Sequence, residues 1–132
     1  MKSAKKPKKP RKPRGHQEDD EAMALMRWIG YNMTKYPMLK AFYHVPNGGR
    51  MNVLTGVRMK RKGVKPGVPD YNLDYACGGY HGLRIELKAP KGTVSAEQKE
   101  WIALLRENGF AAEVCRGWVR AVATIENYIA SQ

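Results

Sequence analysis

Residues 71–76 and 83–88 alternate in character on either side of Gly78-Gly79, and a helical pattern then separates the second of these runs from another strand-like run, 110–115. Adjacent glycines accept the positive φ of a tight turn, so the first two runs are expected to form an antiparallel hairpin. A helix between 83–88 and 110–115 is the kind of crossover that parallel neighbours require. Together these two connections predict a mixed sheet flanked by helices, an α/β fold.

The remaining segments fill in that frame. From Glu18 to about Tyr36, Ala22, Leu25, Met26, Ile29 and Met33 recur at helical spacing, and Pro37 closes the segment. Residues 42–45 form a short candidate strand, after which Pro46-Asn47-Gly48-Gly49 breaks regular structure. Residues 50–68 carry Arg50, Arg58, Lys60, Arg61, Lys62 and Lys65 with no clear period, and are read as a long basic loop that contacts phosphates. Ser95 begins a helix running to about Asn108, anchored by Trp101, Ile102, Leu104 and Leu105 and stopped by Gly109. A last helix spans 119–129, with Val122, Ile125, Tyr128 and Ile129 on one side.

A chain of 132 residues, 42% hydrophobic, has room for one domain with a modest core. Residues 17–132 are assigned to that domain and 1–16 to a solvated basic arm. Between Lys2 and Arg14 the arm holds eight of the 24 Lys and Arg residues and no acid, so it contributes +8 of the formal net charge of +12. Pro7, Pro10 and Pro13 keep it from continuing as a helix. A flexible cationic segment gains affinity for polyanions through counterion release, which points to nucleic acid as the partner. Neither a secretory h-region nor a run of membrane-spanning length is present, so no membrane partner is expected. Cys77 and Cys115 fall outside any CxxC or Cys/His spacing and are read as free thiols of a cytoplasmic protein.

With the turn centred on Gly78 and Gly79, residues whose numbers sum to about 156–158 face each other across the hairpin, which sets Asp70 opposite Glu86 or Leu87. Strand alternation puts Glu86 and Lys88 on one face. Two carboxylates brought together from different strands repel unless protonated or bridged by a cation, and oxygen ligands suit Mg²⁺ or Mn²⁺. The competing reading of the same face is an array of ordinary cross-strand ion pairs. Pro66-Gly67-Val68-Pro69 fixes the backbone entering Asp70, and Lys88 stands where an ammonium group orients water or stabilises a phosphorane. On the first helix, Glu18 falls at the centre of the apolar stripe and is the first choice for a third acid, with Glu21 at the stripe's edge as the alternative. Gln98 has a structural explanation, because Ser95-Ala96-Glu97-Gln98 matches a capping box. His44 and Asn47 border the break after the first strand and are not needed for the cation site.

The pattern Pro69-Asp70 … Glu86-Leu87-Lys88 resembles the PD-(D/E)xK nuclease signature. Its surroundings are similar to the VRR-NUC domain: His44-Val45-Pro46-Asn47-Gly48-Gly49, then Gly63-Val64-Lys65-Pro66-Gly67-Val68, then Ile85 through Pro90, then Ser95 to Gln98. The resemblance covers about Glu18 to Tyr128. It implies a restriction-endonuclease-like core and Mg²⁺- or Mn²⁺-dependent hydrolysis of DNA phosphodiesters. Asp70, Glu86 and the Leu87 carbonyl would then ligate metal, Lys88 would fill the lysine role, Gln98 the position of the family's glutamine, and Glu18 that of the helix acid. Stand-alone bacterial and phage members imply a homodimer acting on branched DNA, including four-way (Holliday) junctions, in repair or recombination. A monomer would be a flap or nicking endonuclease, and an inactive relative would be a non-catalytic nucleic-acid-binding protein.

Overall fold

The computed structural model describes residues 14–46 and 53–132. In chain order the elements are α1 (Arg14–Asn32), a 3₁₀ turn (Pro37–Ala41), β1 (Phe42–His44), α2 (Val53–Arg61), β2 (Tyr71–Leu73), β3 (Leu83–Lys88), α3 (Ala96–Glu107), β4 (Ala111–Arg116) and α4 (Trp118–Ala130). Arg14, Gly15 and His16, read above as the end of the arm, form the first turn of α1; the rest of the arm, Asn47 and Arg50 lie outside the described residues.

The sheet order is β1-β2-β3-β4, antiparallel through the first three strands and parallel between β3 and β4. This is the hairpin followed by a helical crossover that the glycine pair and the 95–108 pattern predict. Gly78 and Gly79 both take positive φ, 59° and 84°, at the tip of the hairpin. Cross-strand partners Phe42 and Leu73, Leu73 and Leu83, Tyr71 and Ile85, and Leu87 and Cys115 place one apolar surface on a single side of the sheet. Leu25 and Ile29 of α1 and Ala121, Ile125, Tyr128 and Ile129 of α4 close over that side as the core. Burying each of the larger side chains contributes roughly 1.5–3 kcal/mol. The other side bears Asn72, Arg84, Glu86 and Lys88, and α3 packs there over β4, burying Ile102.

Two elements differ from expectation. Residues 50–68 are not a loop throughout, because 53–61 form the helix α2. Arg58, Lys60 and Arg61 occupy its last turn, where cations suit the helix dipole. Its end is a Schellman closure: Gly63, at φ 99°, donates to Lys60 O at 3.0 Å, and Val64 donates to Met59 O at 3.0 Å. Gly56 dilutes the helical pattern, but Gly63 after a basic turn is a stop signal that marks this helix. The second strand is shorter than 71–76: Asp74 N–H keeps the β1 register with a bond to Ala41 O at 3.1 Å, and beyond it the Tyr75 carbonyl accepts from the Tyr128 hydroxyl at 2.5 Å instead of from a strand neighbour. Cys77 and Cys115 are buried free thiols. Among the described residues, no helix is long and apolar enough to cross a membrane.

Candidate active site

The pairing of Tyr71 with Ile85, carried one step further, sets Asp70 opposite Glu86 on the side of the sheet away from the core. The chain reaches Asp70 through a loop wedged against α3. Gly67 has φ 87°, and a Cβ there would lie 2.5 Å from the backbone carbonyl of Glu97, so only glycine permits this approach. The contact fixes the entry of β2 relative to the first turn of α3, where Gln98 sits. Ser95 and Gln98 form the capping box: Gln98 N–H donates to Ser95 Oγ at 3.2 Å, and Ser95 N–H donates to Gln98 Oε1 at 2.9 Å. The other end of the same amide donates from Nε2 to Glu86 Oε1 at 2.7 Å. Gln98 therefore serves the helix and the carboxylate together.

Asp70 and Glu86 are held in different ways. Asp70 Oδ2 accepts the Leu87 N–H at 3.0 Å. Glu86 is 3% exposed; its Oε1 takes the Gln98 bond and lies 3.7 Å from Lys88 Nζ, while its Oε2 is buried and accepts no hydrogen bond from the described residues. Burial pushes the Glu86 carboxyl up to about 8, helped by the charge of Asp70, opposed by Lys88, and raised further by a hydrogen bond shared with Asp70 and by Glu18. Burial also raises Asp70, against the lowering effects of the Leu87 N–H, the bond with Glu86, His44 and Lys88. The shared bond lowers Asp70 and raises Glu86, so of the two acids Glu86 holds a proton the more tightly.

A buried, unpartnered carboxylate oxygen beside a second carboxylate fits a divalent cation. Leu87 adds a further oxygen. Its N–H points toward β2, and in a strand the carbonyl of a residue points the same way as its N–H; the residue opposite, Pro69, has no N–H to offer it. Among the described residues, no three His, Cys, Asp or Glu side chains converge as a ready cluster.

The two helix acids separate. Glu18 is exposed, as are Gln17, Asp19 and Asp20, because α1 begins before its buried stripe does; the stripe position predicted an acid facing inward. Its charge nevertheless reaches Glu86. Glu21 Oε2 instead accepts the Trp118 N–H at 2.6 Å, at the start of α4. That role is missed by reading each helix alone. The signal is at the other end: α4 follows Gly117, which has no side chain to cap it, so the first turn needs an acceptor from elsewhere. His44 lies against the Tyr71 ring, 5.1 Å between centroids. Arg58, Lys60, Arg61, Lys62 and Lys65 are all exposed, on α2 and the turn after it.

The family profile of the VRR-NUC domain matches residues 20–118. A solved structure described as a VRR_NUC domain protein is 33% identical in sequence and superposes with a TM-score of 0.74, over 86% of this chain and 88% of that one. No curated protein matches. The profile spans the residues from α1 to the start of α4, the solved structure shares the fold, and the chain belongs to the VRR-NUC domain family, which implies a nuclease.

Proposed function

We propose that this chain is a metal-dependent endonuclease that hydrolyses DNA phosphodiesters at the Asp70/Glu86 pair. The observation that carries the reading is the unpartnered Oε2 of buried Glu86 next to a second carboxylate. A group so costly to bury suits a ligand that arrives later. Asp70, Glu86 and the Leu87 carbonyl would hold Mg²⁺ or Mn²⁺, with Glu18 as the outer acid. The cation would supply charge neutralisation at the attacking and leaving oxygens.

The chain's own groups do the rest. Gln98 fixes Glu86 Oε1 and leaves Oε2 to face the site. Leu87 N–H favours the charged form of Asp70, against the burial that raises it. Lys88 orients the attacking water and stabilises charge growing on the phosphorane. The exposed cations of α2 and the following turn hold flanking phosphates.

For the substrate, the reading is branched DNA cut by a homodimer, whose two-fold axis would give paired cuts in a four-way junction. The test is incubation of the purified protein with linear duplex, single-stranded, flap and four-way-junction DNA, with Mg²⁺, Mn²⁺ or chelator. Cleavage that needs the cation and disappears in Asp70→Ala is expected, with symmetric products on the junction. Protein that binds these DNAs and cuts none of them is a non-catalytic binder. Cleavage of flaps or nicks alone removes the junction reading and keeps the nuclease.

A further inference from the structure

Beyond the carboxylate pair, the same side of the sheet continues into a polar patch. Tyr43, Asn72 and Arg84 are direct cross-strand partners on β1, β2 and β3, so their side chains share one face. Asn72 and Arg84 lie two residues from Asp70 and Glu86 along β2 and β3, and strand alternation keeps all four on that face. Two strand residues span about 7 Å, which is of the order of the distance between successive phosphates of a polynucleotide.

Arg84 is already committed, paired to Asp74 Oδ1 at 3.0 Å and placed over the Phe110 ring at 4.7 Å from its centroid. Tyr43 is not committed in the same way. Its ring is 44% exposed, and Asn72 Nδ2 donates to its hydroxyl oxygen at 3.0 Å. A hydroxyl that accepts from one side keeps its own hydrogen free to donate to whatever covers the face. With a phosphodiester site one step away and exposed cations on α2, the fitting occupant is a polynucleotide strand, whose charge complements the surface.

We propose that Tyr43, held by Asn72, forms a subsite for the phosphate next to the scissile one, donating its phenolic hydrogen to that phosphate. This rests on the nuclease reading for which phosphate is cut, but the contact itself is a binding property. Because the contact comes from a neutral group, it adds affinity without adding to the salt dependence that Lys and Arg create.

The experiment compares wild type, Tyr43→Phe and Asn72→Ala on a DNA strand and on bis(p-nitrophenyl) phosphate, a diester with no neighbouring phosphate, in Mn²⁺. Fluorescence anisotropy of labelled DNA in chelator is measured across a salt series. Tyr43→Phe is expected to lower kcat/KM on DNA roughly tenfold, the loss of one hydrogen bond to a charged group, and to leave the small diester unchanged. DNA affinity should fall by a similar factor with the same slope against salt. Asn72→Ala should show a smaller loss in the same direction. Wild-type values on DNA for Tyr43→Phe, or equal losses on both substrates, would overturn the subsite. If no protein cleaves either substrate while Tyr43→Phe still weakens DNA binding, the contact stands and the nuclease reading falls.

Discussion

Glu21 and Glu86 belong to neighbouring parts of the molecule, joined by the bond from Gly117 N–H to Lys88 O at 2.9 Å, yet the fold treats their carboxylates in opposite ways. Glu21 is spent on structure: one oxygen caps the first turn of α4, where negative charge also meets the positive end of the helix dipole. Glu86 is buried, its carboxyl is pushed up to about 8, and its Oε2 accepts no hydrogen bond from any described residue. An acid that builds the fold finds its partner inside the fold. Glu86 Oε1 has Gln98 and Lys88, but Oε2 is left without such a partner, and local rules broken in this way are characteristic of sites rather than of cores.

The largest expected effect separates the two regions by activity. Lys88→Ala and Asp70→Ala should each lower cation-dependent DNA cleavage by roughly a hundredfold to a thousandfold or more, the scale of losing one charge-stabilising group at a reacting phosphate. DNA affinity in chelator should stay within a few-fold of wild type, because the basic arm and α2 are untouched. Measured rates that barely change for either variant would remove the carboxylate pair and its ammonium from the chemistry.

Stability gives the next test. The Glu86 carboxyl is raised from 4.5 to about 8, so the folded chain binds its proton more tightly than the unfolded chain does. The stability contributed by that proton is complete below about pH 4.5 and is lost as the pH climbs through about 8. In chelator, the Tm of wild type is expected to fall over this window, and Glu86→Gln, which cannot ionise, should hold its Tm better and exceed wild type at pH 8 by about 5 °C or more. Mn²⁺ should act in reverse, raising the wild-type Tm more at pH 8 than at pH 5 and the variant's little at either. A chelated wild type whose Tm rises across the window, or a Glu86→Gln less stable than it at pH 8, would mean that Glu86 is satisfied in solution.

Much of this arrangement was legible before the structure. The glycine pair and the helical crossover are local signals of connection, and they determine strand pairing; the pairing sum around Gly78 and Gly79 puts Asp70 opposite Glu86 or Leu87, and the register of Tyr71 with Ile85, carried one step on, selects Glu86. Ser95 and Gln98 were readable as a cap, because a capping box lies within four residues. The second bond of Gln98 was not readable, since it depends on how α3 lies over the sheet. The same holds for Gly67, whose close neighbour is thirty residues away in the chain. α2 was missed because it is only nine residues long and a glycine sits inside it, so the signal lies in its termination rather than in its period. Glu18 and Glu21 stand one helical turn apart, and helix periodicity alone does not say which caps α4 and which stays exposed.

Those two acids supply the smallest and sharpest test. If Glu21 works as a cap, Glu21→Ala should cost about 1 kcal/mol of stability, the usual penalty for losing a capping acceptor. Glu21→Gln keeps an acceptor oxygen and loses only the charge, so it should cost a few tenths of that, on the scale of a helix-dipole interaction. Both should cleave DNA within a few-fold of wild type and keep the Mn²⁺-dependent rise in Tm. Glu18→Ala should show the opposite pattern, with unfolding scarcely changed, because its side chain is exposed, and a weaker response to the cation, because its charge reaches Glu86. If Glu21→Ala instead loses its response to Mn²⁺ while its unfolding free energy stays at the wild-type value, the assignments exchange. The bond to Trp118 would then be an arrangement that Glu21 leaves when the cation binds.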